Sequence, residues 1–109
     1  MTSSNQAQYV EADEFDRLLN DESVVVADYT ASWCGPCRVT APLIDRLAEE
    51  YQDRATVVKI DIDKHKDTAK KYGIRSIPAV LMFKDGEQVE NLVGKLPYED
   101  YSEAIEKHL

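Results

Sequence analysis

The sequence predicts a three-layer α/β domain, a central mixed sheet of four to five strands flanked by about four helices. Three observations carry this expectation. Strand-patterned and helix-patterned segments alternate along most of the chain. The segment Val24 to Tyr29 is apolar almost throughout, as strands covered on both faces are. The last two strand segments are joined by Lys84-Asp85-Gly86-Glu87, a hairpin signal. With 109 residues, the chain is one domain with a single core and no room for a separate cofactor domain.

Residues 1–8 are polar and are expected to form a flexible N-terminus, with Gln8 to Val10 suited to a short edge strand. Ala12 to Asn20 reads as a helix, because Phe15, Leu18 and Leu19 share one face. Val24 to Tyr29 follows as the buried strand. Ile44, Leu47, Ala48 and Tyr51 recur at i, i+3, i+4 and i+7, which predicts a second helix ending near Tyr51, with Pro42 removing one ladder bond and bending it. Thr56 to Asp63 alternates, with Val58, Ile60 and Ile62 on one side and Lys59, Asp61 and Asp63 on the other. A short helix from about Lys66 to Tyr72 stops at Gly73. Ala79 to Phe83 and Gln88 to Val93 are the hairpin strands, and Tyr101, Ala104, Ile105 and His108 sketch a closing helix.

The net charge of −8 and a sequence pI of about 4.7 argue against nucleic-acid phosphates and anionic membranes as partners. The first residues lack the basic start and apolar run of a secretory signal, and the longest apolar runs are too short to cross a bilayer. A cytoplasmic or equivalent reducing location is expected, and a removed transit peptide is compatible with it. His65 lies in a charged loop and is expected to be solvated, and His108 reads as a helix-boundary residue. The charge run Asp61 to Asp67 reads as a strand end and loop, and it lacks the glycine and terminal glutamate of a calcium loop.

The chemistry has one address: Trp33-Cys34-Gly35-Pro36-Cys37 holds both cysteines of the chain. Two cysteines separated by two residues can form a redox dithiol, half of a zinc site or a structural staple. A closed zinc site needs four ligands, and the two histidines are far apart in sequence and unpaired. A staple across so short a loop constrains the unfolded chain by only about 2 kcal/mol. A dithiol that opens and closes remains. Cys34 is expected at or just before a helix N-terminus, where unpaired N–H groups and the helix dipole favour a thiolate and lower its pKa. Pro36 suits the first turn, where its missing N–H costs nothing.

This stretch resembles the thioredoxin family, whose motif is Trp-Cys-Gly-Pro-Cys, and the resemblance runs from about residue 9 to the end of the chain. It implies a protein disulfide reductase that works by dithiol–disulfide exchange through a mixed disulfide. Its redox group is then the Cys34–Cys37 pair, with no bound cofactor and no metal. An external thioredoxin reductase would recharge it, disulfide-containing proteins would be its targets, and a monomer is expected.

Asp28 lies inside an apolar strand, six residues before Cys34. From the run alone, a structural role is the stronger reading. The resemblance matches it to the buried aspartate of the family, a base whose pKa burial should raise towards working pH. Lys59 matches the lysine that pairs with that aspartate, although a surface strand lysine would look the same. Ile77-Pro78 matches the family's cis-proline loop, which faces the dithiol, and Gly94 matches the glycine that leaves room for a target chain. Trp33, with no useful pKa, suits recognition rather than chemistry; with Gly35, Pro36, Ile77, Pro78 and Gly94 it makes up the implied substrate surface. Thr30 stands where many bacterial members carry a second tryptophan, and Ala79 where a threonine is usual. Residues 29–33 are closer to the plant cytosolic pattern, residues 72–78 to a bacterial or plastid one. A binding protein with a silent dithiol is the alternative from another class, and an oxidase or isomerase the alternative within the same chemistry.

Overall fold

The computed structural model describes residues 6–109. Five strands and four helices follow one another as β1 (Gln8–Tyr9), α1 (Ala12–Asp21), β2 (Val24–Thr30), α2 (Gly35–Glu50), β3 (Thr56–Asp61), α3 (Lys66–Lys71), β4 (Ala79–Lys84), β5 (Glu87–Val93) and α4 (Tyr98–Glu106). They form one mixed sheet in the order β1-β3-β2-β4-β5, in which β1, β3 and β2 run parallel, β4 pairs antiparallel with β2 and β5 pairs antiparallel with β4. Of the stretch expected to be flexible, residues 1–5 lie outside the described residues. Ala7 is buried in the core, however, and Gln8 belongs to β1, because pairing with Val58 ties the segment to the sheet.

Every residue of β2 is buried, which is why its sequence does not alternate. Its two faces nevertheless separate two cores. Val24 and Val26 point with Val57, Val80 and Met82 towards Ile44 and Leu47 of α2 and Tyr101 and Ile105 of α4. Val25, Ala27 and Tyr29 pack with Val58, Ile60, Leu81 and Phe83 against Phe15 of α1. Phe15 meets Tyr29, Tyr72 and Phe83 edge-on, with ring centroids 6.5, 6.2 and 5.6 Å away. The β3 alternation correctly places Val58 and Ile60 together, but Val57 on the opposite face is buried too, since α2 and α4 cover that side.

Asp85 and Gly86 adopt positive φ of 52° and 85°, as a tight hairpin between β4 and β5 requires. Gly73, at φ 70°, ends the α3 segment as its position predicts. Helix α2 runs through Pro42 without interruption. His65 is not solvated as expected: its side chain is 13% exposed, with Nε2 3.2 Å from Glu11 Oε1. His108 follows the end of α4 and places Nε2 2.8 Å from Glu90 Oε2 on β5.

Candidate active site

The pattern of faces delivers the site. On β2 the alternation that sends Val24 and Val26 towards α2 and α4 sends Asp28 the same way, and Cys34 follows β2 after a short turn. Cys34 is the N-cap residue of α2, with Gly35 and Pro36 opening the helix. Its Sγ accepts a hydrogen bond from the Cys37 backbone N–H at 3.1 Å, so a group that the helix end leaves without an internal partner is aimed at sulfur. The two cysteines form a disulfide, with Cα atoms 5.3 Å apart. Both are buried, at 4% and 5% exposure, in a small cluster with Ala31 beside Ile62 and Ile77.

The Ile77–Pro78 peptide bond is cis, and the Ile77 carbonyl oxygen lies 3.9 Å from Cys34 Sγ. Pro78 O accepts from the Gly94 N–H at 2.8 Å, which joins the two loops that flank the sulfurs. Gly94 holds φ 92°, a conformation that disfavours side chains, and the space where a Cβ would point is empty. The Tyr101 hydroxyl on α4 donates to Gly94 O at 3.4 Å. Trp33 is 63% exposed, and its Nε1–H donates to Asp63 Oδ2 at 2.9 Å. Asp63 is legible in the sequence only as part of a mixed charge run; its aim at the indole is set by the β3–α3 turn.

Behind the disulfide a cleft of about 240 Å³ is lined by Asp28, Thr30, Cys37, Arg38, Ala41 and Lys59, among others. Asp28 is 3% exposed, and its Oδ1 has no hydrogen-bond partner. Burial pushes its carboxyl up to about 7 from 3.8; the Lys59 charge opposes this and Asp45 reinforces it. Lys59 lies opposite Asp28 in the β2–β3 register, but the ion pair expected between them is not the one formed. Its Nζ is instead 3.5 Å from Asp45 Oδ1 on α2. The physical reason is the burial of Asp28, which disfavours a charge there, whereas the Asp45 side chain is a quarter exposed overall although the Oδ1 that faces Nζ is itself buried. The signal that could have found Asp45 is its position eight residues after Cys37, two helical turns further along the same face.

The sequence model of the family described as Thioredoxin matches residues 6–107. The chain belongs to the thioredoxin family. It is 50% identical over 88 residues to the thioredoxin of Bacillus subtilis, covering 81% of this chain and 85% of that one. It is also 44% identical over 106 residues to the chloroplastic M-type thioredoxin of Pisum sativum, covering 96% of this chain but only 62% of the longer pea protein. Among solved structures, a mutant thioredoxin of Halobacterium salinarum superposes with a TM-score of 0.86 at 38% identity, covering 99% of this chain and 96% of that one. With the Cys34–Cys37 pair intact, this thioredoxin is a thiol–disulfide oxidoreductase that uses its own cysteines as the redox group. Among the described residues no cluster of His, Cys, Asp and Glu could hold a metal ion, and no helix is long and apolar enough to cross a membrane.

Proposed function

We propose that this thioredoxin reduces disulfides in target proteins, with Cys34 attacking and Cys37 resolving. The Cys34 thiolate attacks one sulfur of the target disulfide; that S–S bond breaks, and the first target sulfur leaves as a thiolate that takes a proton from water. Cys37 then gives its proton to the Asp28 carboxylate and attacks Cys34 Sγ, releasing the second target thiolate. Two electrons pass to the target, and the enzyme is left as the disulfide. What supports the order of roles is that Cys34 caps α2 beside the Ile77 carbonyl, whereas Cys37 lines the same cleft as Asp28.

Acidity of Cys34 alone explains little of the rate. Lowering an ordinary thiol pKa of about 8.5 by about 1.5 units raises the thiolate fraction at pH 7 roughly 16-fold but costs about 6-fold in nucleophilicity. The remainder falls to positioning: Trp33, Gly35, Pro36, Ile77, Pro78 and Gly94 hold the target strand, and the resolving sulfur is already in place. Lys59 acts as a nearby cation that moderates Asp28. A thioredoxin reductase returns the disulfide to the dithiol, and the protein works as a monomer in the cytoplasm or an equivalent reducing compartment. Reduction of insulin disulfides with dithiothreitol as the electron source tests the activity; a rate no faster than dithiothreitol alone overturns it. A redox titration of the pair separates reductase from oxidase, since a couple more oxidising than the glutathione pool contradicts the reductase direction.

A further inference from the structure

Asp28 sits among few groups that can carry charge. Across the sheet, β3 offers Lys59 in direct register with it, while β4 offers only the apolar Val80. From α2, Cys37 and Arg38 line the shared cleft and Asp45 raises the Asp28 carboxyl electrostatically. Tyr101 of α4 feels the Asp28 charge, and Tyr9 of β1 lines the cleft with Lys59 near its ring face. Lys59 is thus the one cation in direct register with Asp28 on the neighbouring strands, and its side chain is only 14% exposed. A lysine ammonium in that position would ordinarily settle on Asp28, whose Oδ1, like that of Asp45, is buried without a hydrogen-bond partner. It points to Asp45 instead, at 3.5 Å.

We propose that Asp45 is a positioning residue for the resolving step: it anchors the Lys59 ammonium on α2 and leaves the Asp28 carboxyl free to exchange a proton with Cys37. The proposal rests on the base role given to Asp28 above and names what keeps that base in working order. A cation in contact with a carboxyl favours its ionised form, and an ionised Asp28 locked to Lys59 would be a weak base. Asp45 prevents this in two ways that act in the same direction. It holds Nζ 3.5 Å from its Oδ1, on the α2 side of the cleft, and its own negative charge disfavours a second one nearby.

The experiment follows the Asp28 side-chain carbon by NMR as pH is varied, in the disulfide form, where no thiol titrates. Asp45→Asn is expected to lower the Asp28 midpoint by about one pH unit, a tenfold loss of proton affinity, and to move the pH profile of mixed-disulfide resolution down with it. Asp45→Glu should restore both. Adding Lys59→Met to Asp45→Asn should cancel the downward shift, because the freed ammonium is its cause. A midpoint in Asp45→Asn equal to or above that of the wild type overturns the proposal, as does a resolving profile that stays in place while the midpoint moves. Failure of the base role itself reads differently: Asp28→Asn then resolves mixed disulfides at the wild-type rate, whatever Asp45→Asn does to the titration.

Discussion

Replacing Asp28 with asparagine should make the protein more stable at neutral and alkaline pH, although it removes a proposed catalytic group. In the folded chain burial raises the Asp28 carboxyl to about 7 from 3.8. A rise of that size corresponds to about 4 kcal/mol. The sign follows from which state holds the proton. Between pH 4 and 7 the unfolded chain has released it and the folded chain has not, so stability falls as pH rises through this window and stays low above it. Asparagine is neutral at every pH and nearly the same shape. At pH 4 wild type and variant therefore carry similar neutral groups and should differ by less than about 1 kcal/mol; by pH 8 the variant should lead by about 4 kcal/mol.

That difference is a large share of the roughly 5–15 kcal/mol by which domains of this size are stable. Urea unfolding of the disulfide form, followed by circular dichroism at pH 4, 5, 6, 7 and 8, reads it directly. The gap should open between pH 4 and 7 and then level. A gap independent of pH, or one that opens towards acid, would refute the attribution to burial.

The same variant should resolve mixed disulfides slowly at pH 7, with the defect shrinking as pH rises and Cys37 ionises unaided; rapid-quench kinetics with a labelled target checks this, and a constant defect contradicts it. Cys37→Ser should accumulate mixed disulfides with target proteins on non-reducing gels while Cys34→Ser accumulates none, and equal trapping would reverse or abolish the assigned roles. Gly94→Ala places a side chain at φ 92° and should cost about 1–2 kcal/mol in unfolding experiments, with weaker target reduction because Gly94 N holds Pro78 O. Trp33→Phe removes the bond to Asp63 and should weaken target capture more than it slows the chemistry, so a large fall in kcat with unchanged KM would count against a recognition role.

The element order, the hairpin and the dithiol were legible because each depends on local signals: apolar periodicity, Asp85-Gly86 at a tight turn, two cysteines at short spacing. Asp28 was legible as an anomaly, a charge inside a run that burial forbids. What local patterning misses is the partner of each side chain. Lys59 is adjacent to Asp28 by register, and register alone suggests a pair; only the position of Asp45 two turns beyond Cys37 diverts it. His65 was expected in water for the same reason, since nothing near it in sequence announces Glu11. The buried N-terminal segment at Ala7 is likewise a consequence of β1 finding β3 across the chain.

In the proposed mechanism, burial of the sulfurs and burial of Asp28 work together. Both cysteines are nearly buried, at 4% and 5% exposure, with Cys34 beside the Ile77 carbonyl and Cys37 on the cleft it shares with Asp28. In the proposed resolving step a nearly buried thiol needs a base close by, and a carboxylate with an ordinary pKa of about 4 would take its proton poorly. Burial is what moves the Asp28 carboxyl close to neutrality, and Asp28 shares its cleft with Cys37. The stability lost by placing a carboxyl there is thus the direct cost of the raised pKa that the proposed base role requires, and Asp28→Asn should exchange one for the other.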